Sequence, residues 1–189
     1  KKDPQAKDTT RDGGIVSEGE GCLVNAVLGI DPGPVKSGYA VVIEGRVSAH
    51  GHKVNALLCE DIKNLYSSPD LAVVIERVQG YGRPVGASTF ETCVQIGVFM
   101  ATAAASEVGS IHRIPFPQVK QHLCRGTKGK DADIRRALIA RWGPQGSKKY
   151  HGPLYGVSGH AWAALAIATV WWDRAAVVRD APAINGGRS

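Results

Sequence analysis

LVNAVLGIDPGPVKSGYAVV, residues 23–42, holds an apolar run that ends in a carboxylate, then a Pro/Gly turn, then a second apolar run. LAVVIE, residues 71–76, repeats the first part of that pattern and also ends in an acid. Short continuous apolar runs of this kind suit strands covered on both faces of a sheet. The first strand is read at 23–31. After the turn, YAVVIEG and RVSAHGHKV read as two strands joined in a short hairpin at Glu44-Gly45.

Outward from these runs, residues 55–66 carry Ala56, Leu57, Cys59, Ile62 and Leu65 at helical spacing. A Gly/Pro-rich loop, Gly80 to Gly86, follows the 71–76 strand. A helix is expected from Ser88 to Glu107, a short strand at 110–114, and helices at 116–124 and 131–142. Residues 143–159 read as a Gly-rich, basic loop, and a last helix as His160 to Val177. This order predicts an α/β fold, a mixed five-stranded sheet flanked by helices. The last helix is apolar all round, which predicts burial on both sides, with Trp162, Trp171 and Trp172 as core or dimer contacts.

One domain is expected over 22–179. Residues 1–21 and 180–189 are polar, Gly-containing and poor in large apolar groups, so both are read as flexible tails. No apolar leader is visible near the N-terminus. The longest apolar stretch, Ala161 to Trp172, is well short of the roughly twenty residues that span a bilayer, so no membrane partner is expected. The four cysteines, at 22, 59, 93 and 124, form no C-x-x-C pair and are read as reduced, mostly buried thiols. A net charge of +6 favours a polyanionic partner.

Asp31 and Glu76 each end an apolar strand. If those strands are parallel neighbours, both acids emerge at one sheet end, where open α/β sheets place ligands. Two adjacent carboxylates repel unless something positive lies between them, and a divalent cation resolves the conflict. His160, at the start of the last helix, can reach the same place. The alternatives are an Asp that shapes the turn before Pro32, a solvated strand end for Glu76, and a helix-start histidine without a ligand role. His50 and His52 read as exposed, and nothing in sequence groups around His112 or His122.

Four segments, in order, resemble the RuvC-type Holliday-junction resolvases of the RNase H-like superfamily, phage and organellar branches included. LGIDPGPVKSGYAVV is similar to their first strand, turn and second strand, and VVIERV to their glutamate-bearing strand. FPQVKQHLCRGTKGKDADI resembles their lysine-bearing segment, and HAWAALAIA their terminal acidic motif. The resemblance implies a structure-specific endonuclease for four-way DNA junctions, acting as a homodimer that nicks two strands symmetrically. It implies two Mg²⁺ ions per site, replaceable by Mn²⁺, about 4 Å apart. Asp31, Glu76 and His160 match metal ligands. Ala163 stands where the family usually has an acid, and Asp173 is too far along the helix to replace it, roughly 20 Å from His160. A water, Ser158 or another carboxylate could fill the gap.

Lys120 matches the family's catalytic lysine, and Lys130, or else Lys128, a second one. Arg77 and Arg83 are expected on phosphates, Tyr81 on an unpaired base, and Lys148 and Lys149 on DNA. Phe90, Val94, Val98, Ala101 and Ala105 share a helical face that suits a dimer. Three other readings remain: a catalytically impaired junction-binding protein, a nuclease for other branched DNA, and an actin-like phosphotransferase, for which one short lobe is not enough. The expected location is the nucleoid-containing cytoplasm, or an organelle matrix in a eukaryote.

Overall fold

The computed structural model describes the backbone from Asn25 to Arg179 except residues 81 and 83, and side chains as far as residue 176. Both expected tails, together with Cys22, Tyr81 and Arg83, lie outside the described residues. The strands are β1 Ala26–Asp31, β2 Lys36–Ile43, β3 Arg46–Val54, β4 Leu71–Arg77 and β5 Ser110–Pro115. The helices are α1 Asn55–Asn64, α2 Ala87–Ala104, α3 Phe116–Cys124, α4 Asp131–Trp142 and α5 Ala161–Arg179. The expected elements are all present, β3, α3 and α4 with unchanged limits and the others with ends shifted by at most three residues. The largest shift at a C-terminus is in α2, which stops at Ala104 because residues 105–107 turn to meet α1's exit, where Glu107 N–H donates to Ser67 Oγ.

The sheet order is β3-β2-β1-β4-β5. The β1–β2 and β2–β3 pairs are antiparallel, while β1–β4 and β4–β5 are parallel. Glu44 and Gly45 turn the β2–β3 hairpin with φ of 48° and 73°, the left-handed pair that matches strand twist. Alternation along each strand splits the core in two. Val27, Ala40, Val42, Ala72 and Val74 pack under α3, α4 and α5. Leu28, Ile30, Val41, Val73 and Ile75 pack against α1 and α2. Because β1 and β4 are covered on both sides, their sequences read as unbroken apolar runs.

Helix α5 lies unusually close to the sheet. A Cβ on Gly29 would collide with the Ala164 carbonyl oxygen and stand 2.9 Å from Ala168 Cβ. A Cβ on Gly38 would stand 2.8 Å from His160 Cβ. Two glycines on adjacent strands therefore admit the helix backbone. Trp142 Nε1 donates to Thr169 Oγ1 at 2.8 Å and fixes α4 to the same helix. At the surface, Asp173 takes Arg141 at 3.1 Å and His122 at 3.0 Å, binding α3 and α4 to α5.

Four sequence expectations need correction. His122 has the Asp173 partner just described. His112 stacks on Trp171 at 3.8 Å, and its burial lowers its pKa. His50 is half-buried rather than exposed, because the 154–159 segment passes over β3 near Gly156. Of the described cysteines, all unpaired, Cys93 is exposed on α2 and Cys59 on α1 and Cys124 at the end of α3 are half-buried.

Residues 143–159 are also more ordered than a Gly-rich loop suggests. Gly146 and His151 form an antiparallel bridge, Gly152 N–H donates to Gln145, and Leu154 and Val157 are buried in the core. Among the described residues no helix is long and apolar enough to cross a membrane.

Gly29→Ala is expected to destabilise the protein by roughly 1–3 kcal/mol, since the backbone of α5 must retreat. Urea denaturation measures this. A variant within 0.5 kcal/mol of wild type, by the same rough scale, contradicts the close packing.

Candidate functional site

The parallel pairing of β1 and β4 puts Ile30 opposite Ile75. The next residues, Asp31 and Glu76, are therefore neighbours at the carboxyl ends of two central strands. Asp31 is buried, with 9% of its surface exposed, and Glu76 is half-buried. The turn behind Asp31 is locked by a closed set of hydrogen bonds. Gly33 N–H donates to Ser37 Oγ at 3.2 Å, Ser37 donates to Asn55 Oδ1 at 2.7 Å, and Asn55 Nδ2 donates to the Gly33 carbonyl at 2.9 Å. Ser37 and Asn55 are both buried, so a turn of Pro and Gly becomes a rigid support.

His160 lies immediately before α5, over Gly38. Its Nδ1 is 2.7 Å from Asp31 Oδ2. His52, on β3, stands edge-on to it with ring centroids 6.2 Å apart. Sequence reasoning set His52 aside because its neighbour comes from a segment more than a hundred residues away.

These groups open onto a cavity of about 470 Å³ lined by Asp31, Glu76, His160 and Ala163, and by Phe116 from α3 and Asp131 and Arg135 from α4. Asp131 and Arg135 were missed in the sequence. Their i, i+4 spacing on α4 was the available signal, since it puts both on one helical face. Asp131 is the carboxylate this cavity offers besides Asp31 and Glu76; Ser158 does not line it.

The remaining expected residues are spread more widely. Lys120 is half-buried on α3, its Nζ 5.5 Å from the centroid of the cavity-lining Phe116. Lys130 is exposed and directly precedes Asp131, its N–H donating to Asp133 Oδ2 at 2.9 Å. Lys128 is exposed in the turn before it. Arg77 follows Glu76 on β4 and so faces the other side of the sheet, away from the cavity. Lys148 and Lys149 are exposed at the tip of the 143–159 hairpin.

Electrostatics at the paired acids is unfavourable as it stands. Burial, then the neighbouring Asp31 charge, then a hydrogen bond to Asp31 push Glu76 up to about 8. At neutral pH Glu76 holds a proton that a cation between the two acids would displace. Among the described residues no group of three His, Cys, Asp or Glu side chains is close enough to form a closed metal cage. Mg²⁺ does not need one: it keeps waters and takes one or two carboxylates together with phosphate oxygens. A pair of hard carboxylates beside an imidazole, at the mouth of a cavity, fits that mode of binding.

The sequence matches no protein-family model and no curated protein. Solved structures do match. One, described as the Thermus thermophilus RuvC structure, is 20% identical with a TM-score of 0.61, over 79% of this chain and 95% of that one. Another, T. thermophilus RuvC in complex with Holliday junction substrate, is 19% identical with a TM-score of 0.59 over the same shares. The fold is thus the RNase H-like α/β fold of RuvC.

Native Glu76 retains a proton that the unfolded chain releases above its ordinary value of 4.5. Without divalent cations, the melting temperature should therefore fall as pH rises from about 5 to 8. Glu76→Gln should remove this slope. Identical pH profiles for the two proteins would contradict the strained acid pair.

Proposed function

We propose that this chain is a divalent-cation-dependent endonuclease that resolves four-way DNA junctions. The observation that carries the reading is the meeting of Asp31, Glu76 and His160 at one strand end of a RuvC-like fold. That T. thermophilus RuvC has been solved with a Holliday junction substrate supports branched DNA as the partner.

When bound, Mg²⁺, or Mn²⁺ in its place, supplies an activated water and neutralises charge on the scissile phosphate, two ions per site being the expected number. Asp31 offers oxygens from a fixed position, because its turn is locked through Ser37 and Asn55. Glu76 would hold the cation beside Asp31, giving up its proton to do so. His160 holds Asp31 through Nδ1 and brings an imidazole to the rim. Lys120 and Lys130 sit beside the cavity as point charges for the phosphate backbone, Lys128, Lys148 and Lys149 extend that role over the arms, and Arg77 and Arg83 are assigned to phosphates outside the cavity. Tyr81 stacks on an unpaired base.

A junction has two strands to cut, which calls for a two-fold enzyme. Helix α2 buries Ile96, Phe99 and Ala103 against the sheet but exposes Phe90, Val94 and Val98, with Val94 at 69%. That face is the proposed dimer contact. The proposed setting is the nucleoid in the cytoplasm, or an organelle matrix, and a phage or organellar branch is the proposed kinship.

Ala163 supports a second reading, a junction-binding protein with impaired cleavage. Synthetic four-way junctions with Mg²⁺ or Mn²⁺ separate the two. Wild type should cut, whereas Asp31→Asn and Glu76→Gln should lose at least about 10³-fold in rate and still bind. Binding without cutting by wild type supports the second reading. Full activity in either variant refutes the assignment of the acids.

A further inference from the structure

We propose that Arg135 is a phosphate-binding residue of the cavity, and that Ala163 is the residue that leaves it free to act. The inference rests on the nuclease reading above and concerns its substrate contact.

Arg135 projects from the same face of α4 as Asp131 and lines the cavity with Asp31, Glu76 and His160. Its guanidinium carbon lies 5.9 Å from the ring centroid of Trp162, another lining residue. Arg135 is itself exposed, and the buried Trp162 ring gives its guanidinium an aromatic face at the outer range of a cation–π contact. Among the described residues no carboxylate forms an ion pair with Arg135, although Asp133 pairs with Arg136 one residue on. The cavity also holds three carboxylates, Asp31, Glu76 and, one turn before Arg135, Asp131, yet the guanidinium pairs with none of them and stays open to an anion that arrives from outside. A backbone phosphate fits its planar fork.

Ala163 lines the same cavity, one residue after Trp162. An aspartate there would add a carboxylate within the space that Arg135 shares and would compete with DNA for it. The alanine is then consistent with a working site in which Arg135 carries positive charge to the substrate, rather than a mark of lost function.

The test measures binding of a labelled synthetic four-way junction in EDTA over a range of salt concentrations. Each phosphate contact contributes about 0.9 to the slope of log affinity against log salt. Arg135→Gln should weaken binding about tenfold and reduce the slope by about 0.9. Arg135→Lys should retain the slope, because it keeps a point charge. Ala163→Asp should resemble Arg135→Gln and add little in its background. Circular dichroism checks that each variant is folded, and Arg135→Lys controls for packing on Trp162.

An Arg135→Gln protein with wild-type slope and affinity overturns the proposal. So does Ala163→Asp that binds as wild type and cuts faster with Mg²⁺, or whose loss is fully additive with Arg135→Gln. The underlying nuclease reading fails in a different way: wild type would neither prefer the junction to linear duplex nor cut it with Mg²⁺ or Mn²⁺.

Discussion

The close approach of α5 to the central strands governs the rest of the structure. Gly29 and Gly38 remove the side chains that would hold the helix off, and its own facing residues, Ala164 and Ala168, are small. At that separation the residue before the helix, His160, touches Asp31, the last residue of β1. A helix one methyl group further away would leave the imidazole short of the carboxylate. Packing density thus sets the chemistry, through backbone contacts that tolerate little adjustment.

Against this support, the site itself is electrostatically costly. Two acids on parallel neighbouring strands are half-buried or buried together, and one of them is held protonated near neutrality. A fold stabilised for its own sake would not keep that pair. Strained groups of this kind concentrate where a ligand is to be bound. Around the pair the cavity walls carry both signs of charge, Asp131 and Arg135 on α4 and Lys120 nearby on α3. The proposed nuclease chemistry uses that mixture: acids for the cation, guanidinium and ammonium groups for phosphate.

Much of this was legible in the sequence for identifiable reasons. The buried parallel strands announced themselves as apolar runs, and their terminal acids followed from strand direction. Helices α3 and α4 occupy the expected 116–124 and 131–142 without a shift, and Pro117 sits in the first turn of α3. The illegible parts were non-local. Nothing near Gly29 or Gly38 tells of a helix arriving from more than a hundred residues on. The same holds for His52 beside His160, and His122 meets Asp173 from 51 residues away. In the 143–159 segment, glycines and lysines masked Leu154 and Val157, which are anchored in the core. The expectation of buried cysteines came from residue type alone, whereas Cys93 faces outward from α2 and Cys124 ends α3.

The claim that everything functional depends on is that Asp31 and Glu76 share a cation within reach of His160. Crystals soaked in Mn²⁺, with and without junction DNA, test it through the anomalous signal of the metal. The account predicts a peak between the two carboxylates. A cavity without any peak, even with DNA phosphate in place, would contradict it.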